Sequence, residues 1–271
     1  MISQKVSIRT DHSEAELTTY FQEPSRELAA SAKRPVVLIC PGGGYEFVSD
    51  REAEPVALRM CGLGMHACVL RYSVRPAVFP TALWELAASV AWLRSNREAF
   101  GIDENKIVVC GFSAGGHLAG SLGVFWNSPF LTGLTGLLAK EMKPDRLILS
   151  YPVVTAGEFA HRGSFDNLLG KENRDTKKLA FLSLENQVTS SMPPAFLWHT
   201  FADDAVPVEN TLLLAQAMRR AGVPFELHIF PKGIHGLGLA DEMTDDGSGR
   251  LIVPECAAWP SLAADWIRRE I

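Results

Sequence analysis

The chain alternates between apolar runs and amphipathic segments from residue 34 onward. Six largely apolar runs predict strands, at 34–40, 65–72, 105–111, 145–154, 194–200 and 224–231, and the continuous β-branched and apolar run at 34–40 predicts a strand buried on both faces. Helical periodicity follows these runs, at 52–62, 81–101, from 114 onward, at 208–222 and over the second half of 253–271. This alternation predicts an α/β fold with a mostly parallel central sheet flanked by helices on both faces.

Two other parts of the chain predict smaller elements. Near the N-terminus, "KVSIRT" and "ELTTYFQ" predict a hairpin or a pair of strands. Residues 155–192 are mixed and polar, and we expect them to form a small cap or insertion of short helices that covers another part of the protein. Because no repeat, low-complexity tract or long linker interrupts the pattern, we expect a single domain over residues 1–271.

Composition narrows the class of protein. The 271 residues are 47% apolar and 21% charged, with a formal net charge of −5, so nucleic acid and anionic membranes are not expected partners. Five cysteines without a CxxC pair indicate neither a disulfide framework nor a zinc site, and we expect no metal and no cofactor. The first residues lack the apolar run of a signal peptide, so a cytoplasmic protein is expected; a homo-oligomer is left open.

"CGFSAGG" (110–116) joins a predicted strand to a predicted helix. It fits G-x-S-x-G, in which a sharp strand-to-helix turn holds a nucleophilic serine, here Ser113. Gly111 and Gly115 would remove clashes in the strained turn, and Gly116 would let the helix pack closely on a neighbour. The alternative is a glycine-rich helix start without chemistry, but the strand before it and the helix after it favour the nucleophile.

"PGGGY" (41–45) directly follows a predicted buried strand. Backbone N–H groups can hold the oxyanion of an acyl-transfer reaction because they are fixed and do not titrate. Gly43, Gly44 and Ala114 are the candidate donors. The alternatives are a plain turn or a phosphate-binding loop, but no Lys-Ser/Thr pair follows as a phosphate-binding loop requires. Tyr45 is a candidate pocket residue, although an aromatic here is also typical of plain core.

A serine nucleophile needs a base and an orienting acid, which follow such a turn in the order acid, then histidine. His235 lies in a glycine-flanked loop after the last predicted strand, and is the candidate base. Asp203 and Asp204 both follow the strand at 194–200, and spacing alone leaves the choice between them open. His199, close to both, is either a support for the acid or a core histidine.

Four motifs in this order resemble the α/β-hydrolase superfamily: "PGGGY", "GFSAGGHLAG", "TFADDAVPVEN" and "GIHGLGLA". More narrowly, the chain resembles bacterial acetyl-esterase and lipase-like proteins related to the hormone-sensitive-lipase group and to acetylxylan esterase-like enzymes. In these families the acid motif often reads D-x-x-V-P, which implies Asp203. Many relatives have histidine where this chain has Pro41, which puts the path of the loop and the shape of the acyl pocket in doubt.

The resemblance implies a serine esterase with a Ser113–His235–Asp203 triad and an acyl-enzyme. Its substrate would be a small soluble ester with a short acyl group, acetyl above all, including acetylated sugars. The alternatives are an amide-directed hydrolase of the same fold, arylformamidase- or peptidase-like, and a non-catalytic binding protein that keeps the fold.

Overall fold

The structure is a computed structural model that describes residues 1–25, 27 and 33–270. The described residues form one eight-stranded sheet. Its strands are β1 (Ile2–Arg9), β2 (Glu14–Phe21), β3 (Arg34–Cys40), β4 (His66–Arg71), β5 (Ile102–Phe112), β6 (Arg146–Ser150), β7 (Ala195–Thr200) and β8 (Phe225–Phe230).

The strand order is β1-β2-β4-β3-β5-β6-β7-β8. β1 pairs antiparallel with β2, and β2 antiparallel with β4, while β4, β3, β5, β6, β7 and β8 run parallel. The predicted α/β fold and the predicted N-terminal strand pair are therefore confirmed. The carboxyl ends of these six parallel strands meet at one edge, where ligands bind in sheets of this kind.

Ten α-helices connect the strands in the described chain. They are α1 (Glu54–Gly62), α2 (Thr81–Ser95), α3 (Arg97–Phe100), α4 (Ser113–Phe125), α5 (Pro129–Thr135), α6 (Ala139–Met142), α7 (Arg162–Leu169), α8 (Thr176–Leu182), α9 (Glu209–Ala221) and α10 (Trp259–Arg268). Short 3₁₀ turns cover Asp50–Glu52, Gly170–Glu172, Leu184–Asn186 and Cys256–Ala258.

Two hydrophobic cores lie on opposite faces of the sheet, because successive side chains of a strand point to opposite sides. Leu38 and Val109 belong to the core that α2, α4 and α9 cover, whereas Ile39 and Val108 belong to the core that α1 and α10 cover. In the second core, Trp198 of β7 stacks on Trp259 of α10 with ring centroids 5.5 Å apart. A fully buried side chain of this size stabilises the fold by ~3 kcal/mol.

The structure differs from the sequence expectations in three places. β6 ends at Ser150 instead of 154, because Tyr151 has φ +37° and leaves the extended conformation. The helix expected over 81–101 divides at Asn96 into α2 and α3, and Gly101 then takes the left-handed conformation that ends a helix. α5 and α6 were not predicted. The expected short helices of 155–192 are α7, α8 and two 3₁₀ turns.

Among the described helices, none has the length and apolar character needed to cross a bilayer. All five cysteines are free thiols, and four of them are buried. Burial raises the pKa of Cys40 well above its ordinary value, which keeps this thiol protonated in the core beside β5.

Candidate active site

Ser113 lies on the sharp turn between β5 and α4. Its φ of +53° is in the left-handed region, which non-glycine residues rarely adopt and which recurs at functional sites. The backbone packs too tightly here for side chains on the flanking residues. A Cβ on Gly111 would lie 2.2 Å from the carbonyl oxygen of Gly115, and a Cβ on Gly115 would lie 2.1 Å from that of Cys40. The glycines therefore let the turn form against β3.

A chain of two hydrogen bonds joins Ser113, His235 and Asp203. The Oγ atom of Ser113 lies 2.8 Å from Nε2 of His235, and Nδ1 of His235 lies 2.7 Å from Oδ2 of Asp203. A carboxylate only accepts, so we assign the proton of neutral His235 to Nδ1, which leaves Nε2 to accept from the serine hydroxyl. This is the geometry in which a histidine removes a proton from a serine.

Asp203 is held by donors on both oxygens. Oδ1 accepts from the backbone N–H groups of Ala205 and Val206, at 3.0 and 2.8 Å, and Oδ2 accepts from His199 as well as His235. Burial alone would raise the pKa of Asp203, but the bonds from His199 and His235 outweigh it and hold that pKa well below its ordinary value. The carboxyl group of Asp203 is therefore ionised and can pair with a positive charge on His235.

Asp204 takes a different position from Asp203. Among the described residues, its side chain accepts a hydrogen bond from the backbone N–H of His235 alone, at 3.3 Å, and the residue is exposed. His199, in contrast, contacts Asp203 directly: its Nε2 lies 3.2 Å from Oδ2, while its Nδ1 lies 2.7 Å from Oγ1 of Thr211. The geometry thus brings Asp203 and not Asp204 to the imidazole of His235, and places His199 behind the acid.

We call residues Pro41–Tyr45 the oxyanion loop. The N–H groups of Gly43 and Gly44 have no hydrogen-bond acceptor among the described residues, and both glycines have positive φ, +123° and +64°. The N–H of Ala114 belongs to the first turn of α4, where no intrahelical acceptor exists. Three backbone N–H groups without an acceptor in the described chain therefore belong to residues that line a cavity with Ser113 or follow it in the chain, and their role as an oxyanion hole stays a prediction.

A cavity of about 470 Å³ opens over these groups, within the usual range for a small-molecule site. Gly43, Gly44, Ser113 and His235 line it. The remaining walls include Phe47, Arg51, Glu52, His161, Gly163 and Asn167. His161 and Asn167 come from the start and the interior of the α7 segment, so the insertion expected at 155–192 forms one wall of the cavity.

Tyr45 does not line this cavity but a separate and much smaller one, of about 10 Å³, with Leu83 and His117. It is 3% exposed, and its hydroxyl lies 2.9 Å from Nδ1 of His117. Nε2 of His117 donates to the carbonyl of Leu182, so in neutral His117 Nδ1 accepts from the tyrosine. Tyr45 therefore ties the oxyanion loop to α4 from the core side.

Sequence reasoning missed four residues at this site: Glu52, His161, Asn167 and Tyr151. Asn167 donates to the carbonyl of Gly44 at 2.9 Å, and Nδ1 of His161 lies 2.8 Å from Oγ of Ser164. Burial, with the nearby charge of His235, lowers the pKa of His161. The one signal in the sequence was the position of His161 and Tyr151 after a strand at the carboxyl edge of the sheet.

Within the described part of the chain, no group of three or more His, Cys, Asp or Glu side chains is arranged to hold a metal ion. The carboxylate of Asp203 accepts from His235 and from the backbone N–H groups of Ala205 and Val206.

The sheet, the serine on the β5–α4 turn and the histidine after the last strand together define an α/β-hydrolase. The chain belongs to the BD-FAE family, whose model matches residues 27–218. This family membership, with esterase-named relatives, confirms the resemblance to esterase-like α/β-hydrolases that the four motifs indicated.

Known proteins of similar sequence and structure agree with this class. The chain is 39% identical to endo-1,4-beta-xylanase B of Butyrivibrio fibrisolvens and 32% identical to an acetylxylan esterase of Xylanibacter ruminicola, over 80% and 73% of this chain. It spans only 35% and 40% of those proteins. The crystal structure of the carboxylesterase Cest-2923 from Lactobacillus plantarum superposes with a TM-score of 0.88 at 31% identity, covering 99% of this chain and 97% of that one.

Proposed function

We propose that this protein is a serine carboxylic-ester hydrolase that removes short acyl groups, acetyl above all, from small esters that include acetylated sugars. The observation that carries the proposal is the hydrogen-bonded series Ser113–His235–Asp203 beside the N–H groups of Gly43 and Gly44, which have no acceptor in the described chain. Similarity to an acetylxylan esterase and a carboxylesterase supports the ester and the acetyl group.

In the proposed reaction, Oγ of Ser113 attacks the ester carbonyl while Nε2 of His235 takes the hydroxyl proton. The carbonyl oxygen becomes an oxyanion that accepts from the N–H groups of Gly43, Gly44 and Ala114. As the intermediate collapses, the bond to the alcohol oxygen breaks and His235 gives its proton to that oxygen. The acyl group remains on Ser113.

Water then hydrolyses the acyl-enzyme by the same route. His235 takes a proton from the water, whose oxygen attacks the acyl carbon, and the second oxyanion occupies the same donors. Collapse breaks the bond to Oγ of Ser113, which regains its proton from His235, and the carboxylic acid leaves. Asp203 stabilises the imidazolium in both halves because its carboxylate lies 2.7 Å from Nδ1.

A panel of esters varied separately in acyl and alcohol groups tests the substrate class. We expect aryl and sugar acetates to be hydrolysed faster than esters with longer acyl chains. An N-formyl aryl amide serves as the matched amide substrate, and Ser113→Ala as the control for background hydrolysis. Faster turnover of the formamide than of the acetates would reject the ester assignment, and a preference for long acyl chains would reject the short-acyl assignment.

Three wider expectations stay predictions: a single domain over residues 1–271, a cytoplasmic location, and the absence of nucleic-acid and membrane partners. The oligomeric state is open. Size-exclusion chromatography with light scattering measures that state directly.

A further inference from the structure

We propose that Glu52 is a positioning residue for the oxyanion hole, and that with Tyr151 it holds the oxyanion loop and the His235 loop (233–240) in one fixed arrangement. The inference rests on the proposed function, because an oxyanion hole has meaning only for acyl transfer. Glu52 acts on the donors indirectly: it binds the backbone of the loop that carries them.

The carboxyl group of Glu52 is buried, 3% exposed, at the end of the 3₁₀ turn that follows the oxyanion loop. Its Oε2 accepts from the N–H of Gly42 at 2.7 Å, one residue before the first proposed oxyanion donor. A buried carboxyl group needs such partners, since an unpaired one would be strongly destabilising. This bond therefore fixes the peptide group from which the donor loop continues.

The space around Gly42 leaves little freedom for movement. A Cβ on this residue would lie 2.7 Å from Oε2 of Glu52, 3.0 Å from Cβ of Ser113 and 3.0 Å from the carbonyl oxygen of Phe112. The loop is thus packed between the carboxyl group on one side and the nucleophile turn on the other. If the side chain of Glu52 moved, the loop would move with it, and the distance from the N–H groups of Gly43 and Gly44 to Ser113 would change.

The second oxygen of Glu52 extends the contact to the base. Its Oε1 accepts from the hydroxyl of Tyr151 at 2.7 Å, and that hydroxyl accepts from the N–H of Gly238 at 2.9 Å. The ring of Tyr151 also packs edge-on against His235, with centroids 5.1 Å apart. Glu52 therefore connects the donors for the oxyanion with the loop that carries the general base.

Tyr151 is itself rigidly placed. Its backbone has φ +37° and its N–H donates to the carbonyl of Trp198 at 2.8 Å. Burial, reinforced by the charge of Glu52, raises the pKa of Tyr151 well above its ordinary value, so the phenol keeps the proton that it donates. The strained backbone at the end of β6 thus places a hydroxyl group that bridges two active-site loops.

Other side chains hold the oxyanion loop from different directions. Tyr72 donates to the carbonyl of Pro41 at 2.7 Å, and Asn167 donates to that of Gly44 at 2.9 Å. These contacts persist when Glu52 changes. We therefore expect a loop that is displaced by fractions of an ångström, and misplacement on that scale lowers the rate of the chemical step more than it lowers substrate binding.

The test compares Glu52→Gln with wild type and with Asp50→Asn, a change in the same 3₁₀ turn at a side chain that is 86% exposed. The amide has one acceptor oxygen; if that oxygen keeps the bond from Gly42, the NH₂ group faces the Tyr151 hydroxyl and can only donate to it, so the phenol proton loses its acceptor. We expect kcat for an aryl acetate, per active site titrated with a fluorophosphonate, to fall by about 10- to 100-fold with KM within about threefold. Asp50→Asn should stay within about twofold of wild type.

A trifluoromethyl ketone, which forms a tetrahedral adduct with an active serine, provides a second readout. Its affinity should weaken by the same factor as kcat/KM in Glu52→Gln, because both depend on the oxyanion donors. Tyr151→Phe removes the bridging hydroxyl without changing Glu52, and should give a smaller loss of the same kind. If Glu52→Gln does not fold, Tyr151→Phe carries the test alone.

The outcomes separate this inference from the proposed function. Unchanged kcat and inhibitor affinity per titrated site in both variants, even with a lower Tm, would show a merely structural Glu52 and overturn the inference. A rise in KM at constant kcat would also overturn it. Full hydrolysis by Ser113→Ala would instead overturn the proposed function itself, whatever Glu52→Gln does.

Discussion

Asp203→Asn is the substitution whose effect the geometry determines most closely. An asparagine side chain replaces one carboxylate oxygen with an NH₂ group. If that group took the place of Oδ1, it would face the N–H groups of Ala205 and Val206, which cannot give up their protons. The amide nitrogen is therefore expected at the position of Oδ2, where it donates to Nδ1 of His235.

The consequence is a change of tautomer at His235. With Nδ1 now an acceptor, the imidazole proton moves to Nε2, 2.8 Å from Oγ of Ser113, where it can no longer accept the serine proton. We expect kcat to fall by about 10³- to 10⁴-fold, which corresponds to about 4–5.5 kcal/mol of transition-state stabilisation. KM should change little, because neither Asp203 nor the hydroxyl proton contacts a substrate before reaction.

Asp204→Asn is the matched control. This neighbouring carboxylate is exposed and, in the described part of the chain, accepts from the backbone N–H of His235 alone, so its loss should change kcat by less than about threefold. The assay is steady-state hydrolysis of an aryl acetate by both variants, with circular dichroism to verify folding. Retention of more than a tenth of wild-type kcat by Asp203→Asn, or the larger loss in Asp204→Asn, would refute the reasoning.

Gly115 and His117 carry predictions about stability. Gly115→Ala would place a Cβ 2.1 Å from a carbonyl oxygen, so urea denaturation should show that the free energy of unfolding falls by about 3 kcal/mol or more. The control is Gly133→Ala, where nothing lies within 4 Å of the new Cβ and the loss should be less than about 1 kcal/mol. Equal effects of the two substitutions would contradict this prediction. Burial, partly offset by the carbonyl of Leu182, lowers the pKa of His117 to about 4, below the ~6.5 of an unfolded chain, so the unfolded state binds the extra proton between these values. Because of His117, the free energy of unfolding should therefore fall by about 2 kcal/mol between pH 7 and pH 5. In His117→Gln this pH-dependent loss should be absent from urea titrations at the two pH values. Identical pH dependence in wild type and variant would count against the assignment.

The sheet and the nucleophile turn could be predicted because their signals are local. The run "RPVVLIC" coincides with β3, and the two glycines around Ser113 are required by contacts within the turn and with the adjacent strand. Such features need only the strand-to-helix pattern to be recognised. The choice between Asp203 and Asp204 needed the three-dimensional structure, since a shift of one residue along the chain decides which carboxylate faces the imidazole of His235.

Glu52 and Tyr151 could not be predicted because their roles arise from packing between distant segments. Their hydrogen bond joins residues that are 99 positions apart, and neither belongs to a motif with a mechanism. The contact of Tyr45 with His117 could not be predicted for a related reason: the place of Tyr45 beside the glycines suggested only a pocket residue, whereas its hydroxyl bonds to His117 in the core. Tertiary contacts, which the periodicity of a sequence does not encode, determine the positions of Glu52, Tyr151 and Tyr45.

Labelling with a fluorophosphonate, followed by peptide mapping, tests the central claim most directly. The claim is that Ser113 is a nucleophile activated by His235. One phosphonate per chain is expected on the peptide that contains Ser113, with loss of aryl acetate hydrolysis in proportion to labelling. Label on a different residue, or hydrolysis that survives complete labelling of Ser113, would contradict the claim.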